Sequence, residues 1–194
     1  MIIKANNIKN LTDARFFAAQ PMCKWLTFHI EKLDDLVVAQ ELESWITGPL
    51  LSAYMPNAEL TQLYHAFAAL HLTALDMNSG VYRNCKDELE VPVLLRLHYS
   101  SSISYHYYLD KIDKIKAIVL EVDDISNVSS THLKSLCDQY PTILKSNFST
   151  DSLDAMLSVV TPYGIELDGN DETSKGEKSF DLTQDLVDVL EKHQ

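Results

Sequence analysis

Seven residues pair a chemically useful side chain with a place at or near the end of a β-branched or apolar run: Asn6, Asp76, His98, Glu121, Lys145, Glu166 and Asp168. In Ile118-Val119-Leu120-Glu121-Val122-Asp123 the two carboxyls are two residues apart. On a strand that spacing puts both on one face, where each raises the other's pKa and readies a proton donor. A solvated acidic pair at a strand end is the simpler alternative. His29 and His98 close the second and fifth apolar runs, and with Asp76 and Glu121 they would suit acid–base or metal chemistry. Neither H-x-x-x-H nor H-E-x-x-H spacing occurs, so partly buried polar residues are the plainer reading, and no metal or cofactor is expected. Lys145 either pairs with Asp168 or binds an anion. Together these seven residues would hold a small molecule.

The elements that must position them alternate regularly. Strands are predicted at Ile2–Ala5, Trp25–Ile30, Leu50–Met55, Thr73–Met77, Val91–His98, Ala117–Val122, Pro141–Lys145 and Tyr163–Leu167. Helices are predicted after Asn10-Leu11-Thr12-Asp13, from Asp34, from Pro56-Asn57, over Val81–Leu89, in the Tyr-rich Ile103–Ile115, over Leu133–Tyr140, from Thr150-Asp151 and over Phe180–Lys192. Eight strand–helix units imply parallel pairing and a closed (β/α)₈ TIM barrel, as a single domain over residues 1–194. An open doubly wound sheet is the competitor, but it uses five or six strands and a Gly-rich first turn, and Ala5-Asn6-Asn7-Ile8 has no glycine. In a barrel of this kind the strand ends gather at the C-terminal mouth, which is where all seven residues are expected.

Composition removes several function classes. With 16 Lys and Arg against 28 Asp and Glu, the net charge is −12, which argues against nucleic acid and anionic membrane as partners. Cys23, Cys85 and Cys137 are odd in number and form no C-x-x-C pair, so they read as buried thiols of a reducing compartment. The N-terminus lacks a signal-peptide pattern and no apolar run approaches 18 residues, so a cytoplasmic location is expected. The oligomeric state is not legible. Five glycines in 194 residues leave few for phosphate-cradling loops.

Two segments resemble a known family. Lys4-Ala5-Asn6-Asn7-Ile8 through Asp13-Ala14 is similar to the opening K-I-C-G-[IL]-T-x-x-x-D-A of the phosphoribosylanthranilate isomerases, small TIM barrels of tryptophan biosynthesis. Pro162-Tyr163-Gly164-Ile165-Glu166-Leu167-Asp168-Gly169 and the following Glu172-Thr173-Ser174-Lys175-Gly176-Glu177-Lys178 resemble that family's closing P-x-G-V-D-V-S-S-G-V-E-x-x-P-G-x-K-D. The resemblance implies an Amadori rearrangement in which an acid opens the ribose ring and a base removes the C2′ proton. It puts Asn6 at the position of the basic cysteine and Glu121 at that of the catalytic acid. Glu166 matches an Asp on strand eight. The phosphate turns are changed too: Lys145-Ser146-Asn147 replaces a Gly-Gly turn, and Asp168 stands where an S-S-G turn begins. An amide has no useful basicity near neutral pH. Three readings follow: a diverged barrel that binds another small ligand at the mouth or acts as a non-catalytic homologue; a working isomerase with a substitute base such as His98 or Asp76; or a barrel enzyme for an unphosphorylated, cationic or metal-bound substrate.

Overall fold

A computed structural model of the chain describes residues 1–100, 114–169 and 179–194. Eight parallel strands close in sequence order: β1 (Ile2–Ile8), β2 (Cys23–His29), β3 (Leu50–Tyr54), β4 (Ala74–Asn78), β5 (Val93–His98), β6 (Ile115–Glu121), β7 (Thr142–Lys145) and β8 (Gly164–Asp168). The seam pairs β8 with β1, from Ile2 opposite Gly164 to Asn6 opposite Asp168. The described helices lie between strands and after β8: α1 (Leu11–Ala18), α2 (Leu33–Glu43), α3 (Leu60–Ala69), α4 (Ser79–Cys85), α5 (Ser130–Gln139), α6 (Thr150–Leu157) and α7 (Asp181–Lys192). This is the (β/α)₈ TIM barrel expected from the alternation.

Period two along each strand splits the apolar residues into two cores. Outward residues such as Ile3, Leu26, Leu75, Leu95, Ile118, Leu144 and Ile165 are buried together with Phe17, Leu63, Leu133, Leu153 and Leu190 of the helices. Inward residues of the lower barrel, Trp25, Ala74, Leu94, Ala117, Val119 and Ile143, form a separate apolar floor. Among the described residues, the inward side chains above that floor are polar, with Lys4, Thr27, Ser52, Asp76, Arg96 and Glu166 buried there.

The helices start where side chains satisfy free backbone N–H groups. The side chains of Asn10, Asn78, Ser129 and Ser149 accept from the N–H groups of Asp13, Val81, His132 and Ser152. Boundaries differ from expectation for local reasons. β1 runs on to Ile8 because Asn6 pairs with Asp168 of β8 and Ile8 with Phe28 of β2, with a register shift between Ala5 and Ile8 in the β2 ladder where Asn7 has φ 58°. α3 starts at Leu60, not Pro56: the Gln62 side chain accepts the Glu59 N–H and sets the first turn there. α4 ends at Cys85, four residues short of Leu89. The predicted Tyr-rich helix falls outside the described residues except for its last two positions, Lys114 and Ile115, and Ile115 begins β6. The later part of the closing motif, from Asn170 through Lys178, also lies outside them. Among the described residues no helix is long and apolar enough to cross a membrane.

Candidate functional site

The upper barrel holds one connected network of ionic and hydrogen-bonding side chains. At its base, Lys4 of β1 reaches Asp76 of β4 at 2.8 Å and Glu166 of β8 at 2.6 Å, and all three side chains are fully buried. Arg96 of β5 is the hub. It forks onto Asp76, with Nη2 and Nε donating at 2.7 and 3.2 Å, and onto Glu166 with two bonds of 2.9 Å. Its Nη1 also donates to Glu121 at 2.7 Å, and its guanidinium lies 4.8 Å from the centre of the Tyr54 ring. This uses the planar fork that distinguishes arginine from lysine. Beside this layer the buried hydroxyls of Thr27 and Ser52 meet at 2.7 Å.

Nearer the mouth, Lys145 of β7 lies 3.1 Å from Glu166 and 3.2 Å from Asp168. Asn6 Nδ2 donates to Asp168 Oδ1 at 2.7 Å. His98 Nε2 stands 3.1 Å from Glu121 Oε2. The chain of contacts therefore runs from Asn6 through Asp168, Lys145, Glu166 and Arg96 to Asp76, Glu121 and His98.

All seven residues singled out in the sequence face the barrel interior and join this network, but at two depths. Asp76 and Glu166 are sealed in the lower layer, while His98 is 78 % exposed and Asp168 45 %. Contact between a ligand and Asp76 or Glu166 requires the network to open. The expected pairing of Glu121 with Asp123 does not form. β6 ends at Glu121, Asp123 lies beyond it on the surface, and the partners of Glu121 are Arg96 and His98. Lys145 pairs with Asp168, the first of the two roles open to it.

Lys4 and Arg96 escaped the sequence reading. Their signal was present: each is an ionised residue inside an apolar strand, Ile2-Ile3-Lys4-Ala5 and Val93-Leu94-Leu95-Arg96-Leu97, at a position with inward parity. A charge placed so must find a partner across the barrel.

The electrostatics follow from burial and pairing. Burial works against the Glu166 carboxylate, but Lys4, Arg96 and Lys145 outweigh it and hold the carboxyl well below the usual range. Burial likewise opposes the Arg96 charge, which Asp76 and Glu166 lock in place. Lys145 is raised: burial would lower it, and Glu166 and Asp168 more than compensate. Burial also lowers His29. Glu166 is thus held as an anion, whereas His98 and Glu121 form a histidine–carboxylate pair within reach of solvent. The Asn6 amide is neither an acid nor a base near neutral pH, and its Oδ1 is buried without a hydrogen-bond donor. Among the described residues no group of three or more His, Cys, Asp or Glu side chains is arranged to hold a metal ion.

A closed parallel barrel whose polar side chains gather toward the C-terminal ends of its strands defines the class: a (β/α)₈ barrel with the usual site geometry. No protein-family model matches the chain and no curated protein matches it. Solved structures do. Phosphoribosylanthranilate isomerase from Thermotoga maritima superposes with a TM-score of 0.77 at 14% identity, covering 99% of this chain and 100% of that one. The isomerase from Thermus thermophilus gives 0.74 at 16% identity, with both chains fully covered. A third, solved in complex with reduced 1-(o-carboxyphenylamino)-1-deoxyribulose 5-phosphate, gives 0.73 at 14% identity over 99% and 100%. At such identities the likeness is one of fold.

Proposed function

We propose that this chain is a phosphoribosylanthranilate isomerase-like barrel that has left the isomerase reaction and binds a different small ligand at its mouth, or serves as a non-catalytic homologue. One observation carries the reading: Asn6 is bonded to Asp168, and Asp168 to Lys145, at the ends of β1, β8 and β7. By the resemblance these are the places of the base and of the phosphate turns. An amide there accepts no proton from C2′, and a carboxylate repels phosphate. Repulsion between unit charges about 4 Å apart is roughly 1–4 kcal/mol at effective dielectrics of 80 to 20. The loss of a general base alone removes about 10²–10⁴-fold in rate. A cytoplasmic location belongs to the same proposal, resting on three free cysteines.

The test is complementation of a tryptophan auxotroph lacking this isomerase, with turnover of N-(5′-phosphoribosyl)anthranilate by the purified protein as a check. No growth and no turnover are expected. Asn6→Cys alone should restore neither, because Asp168 still opposes the phosphate. Adding Lys145→Ser, Ser146→Gly, Asn147→Gly and Asp168→Ser removes that second obstacle. Growth on the unmodified gene would overturn the reading.

A second reading is favoured by the 3.1 Å contact of His98 with Glu121. In it the chain still catalyses an isomerisation, with exposed His98 as base and Glu121 as acid. Asp76, the other substitute base considered, is engaged by Lys4 and Arg96 and fully buried. Activity abolished by His98→Gln would identify this case.

A further inference from the structure

We infer that the mouth of the barrel is a receptor for a small-molecule ammonium group, held between Asn6 Oδ1 and the Asp168 carboxylate. The inference rests on the ligand-binding form of the proposed function and names the ligand's chemistry. Two independent observations carry it.

The first is charge balance. The network contains three lysine and arginine side chains, Lys4, Arg96 and Lys145, and four carboxyl side chains, Asp76, Glu121, Glu166 and Asp168. Leaving His98 aside, the cluster holds one more carboxyl than it has lysine and arginine partners. That excess does not sit deep. Asp76 is bound by Lys4 and Arg96, and Glu166 by those two and Lys145, whereas Asp168 shares the single ammonium of Lys145 with Glu166. Asp168 is also the most exposed of the four carboxylates. Glu121 also has only a shared cation, Arg96 at 2.7 Å, but it is the less exposed of the two, so the carboxylate most open to an incoming cation is Asp168 at the end of β8.

The second observation is an unsatisfied acceptor beside that charge. Asn6 is 94 % buried, being 6 % exposed, and shares its inward parity on β1 with Lys4. Its amide nitrogen is committed to Asp168 at 2.7 Å. That fixes the orientation of the planar amide, and its Oδ1, which is closed to solvent, receives no hydrogen bond, so a ligand meets this oxygen when the mouth opens at Asn6. Buried acceptors of this kind are normally paired. The group that would satisfy it is a donor, and next to a carboxylate the best donor is a charged one. An ammonium supplies three N–H bonds from one point charge, enough for Asn6 Oδ1 and Asp168 together. A carboxylate ligand has no proton to offer Oδ1, and a phosphate, whose hydrogen-phosphate forms do carry an O–H, is opposed by the Asp168 carboxylate.

The experiment is a titration of the ¹⁵N-labelled protein with four probes of differing charge: benzylammonium, benzyl alcohol, benzoate and inorganic phosphate. The aromatic probes suit a mouth that also carries His29 and Tyr54, whose rings lie 5.4 Å apart. The readout is the side-chain amide resonance of Asn6. Benzylammonium should shift it saturably, at least tenfold more tightly than benzyl alcohol, and benzoate and phosphate should leave it in place. Asp168→Asn and Asn6→Leu should each weaken benzylammonium binding tenfold or more. A shift with phosphate or benzoate, equal binding of amine and alcohol, no shift with any probe, or an unchanged amine affinity in Asp168→Asn would each overturn the inference. Because the wild-type probe series needs no substitution, a variant that fails to fold does not rescue it. Failure here leaves the absence of isomerase activity standing, since that is read from turnover.

Discussion

Glu166 takes bonds from Lys4, Arg96 and Lys145 at 2.6 to 3.1 Å while fully buried. Removing one member of such a buried cluster strands the others, and that typically costs about 3–5 kcal/mol. Glu166→Gln should accordingly lower the urea midpoint markedly at neutral pH. The sign of its pH dependence follows from its lowered pKa. The folded protein holds this carboxyl ionised below the value of 4.5 that an unperturbed glutamate has. Its contribution is therefore complete above that value and fades as the pH falls toward the folded-state pKa. Wild-type stability should drop between about pH 5 and about pH 3. In Glu166→Gln that drop should be shallower, and equal slopes in the two proteins would show that another group governs acid unfolding.

At the scale of the element, the barrel depends on how β8 meets β1. Gly164 opens β8 opposite Ile2, and a Cβ there would lie 2.5 Å from Ile2 Cγ1 and 2.7 Å from the Ile2 carbonyl oxygen. The second of these is backbone and cannot swing aside. Gly164→Ala should therefore push the seam apart and destabilise the fold by about 1–3 kcal/mol, the usual range for overpacking. Thermal unfolding measures it, and a melting temperature at or above the wild-type value would count against this account of the seam. Gly48 makes the contrast: it has φ 111° and no atom within 4 Å of an added Cβ, so a substitution there strains only the local turn.

For the whole molecule, three free cysteines report on opening. Burial pushes the Cys23 thiol up to about 12 and the Cys137 thiol up to about 11, so neither forms thiolate in the native state near neutral pH. Cys23 sits in β2 within the core between strands and helices. Its labelling by a thiol reagent near pH 8 should therefore follow global unfolding and accelerate with urea in step with loss of helical signal. Fast labelling of Cys23 in the absence of denaturant would reveal a local opening of β2.

What the sequence determined by itself was the order and kind of the elements and the face on which the chemically active residues lie. Both are local properties: alternation of apolar residues, capping side chains and strand parity are written over a few neighbouring positions. Asn6, Asp76, His98, Glu121, Lys145, Glu166 and Asp168 could thus be assigned to one interior. Only the tertiary structure decided which of them are sealed and which are open, because depth in a barrel depends on the stagger between strands far apart in sequence. It also decided that Lys4 and Arg96 bind the carboxylates together across the barrel. Lys4 and Glu166 are 162 residues apart along the chain, and their contact exists only because β8 closes on β1.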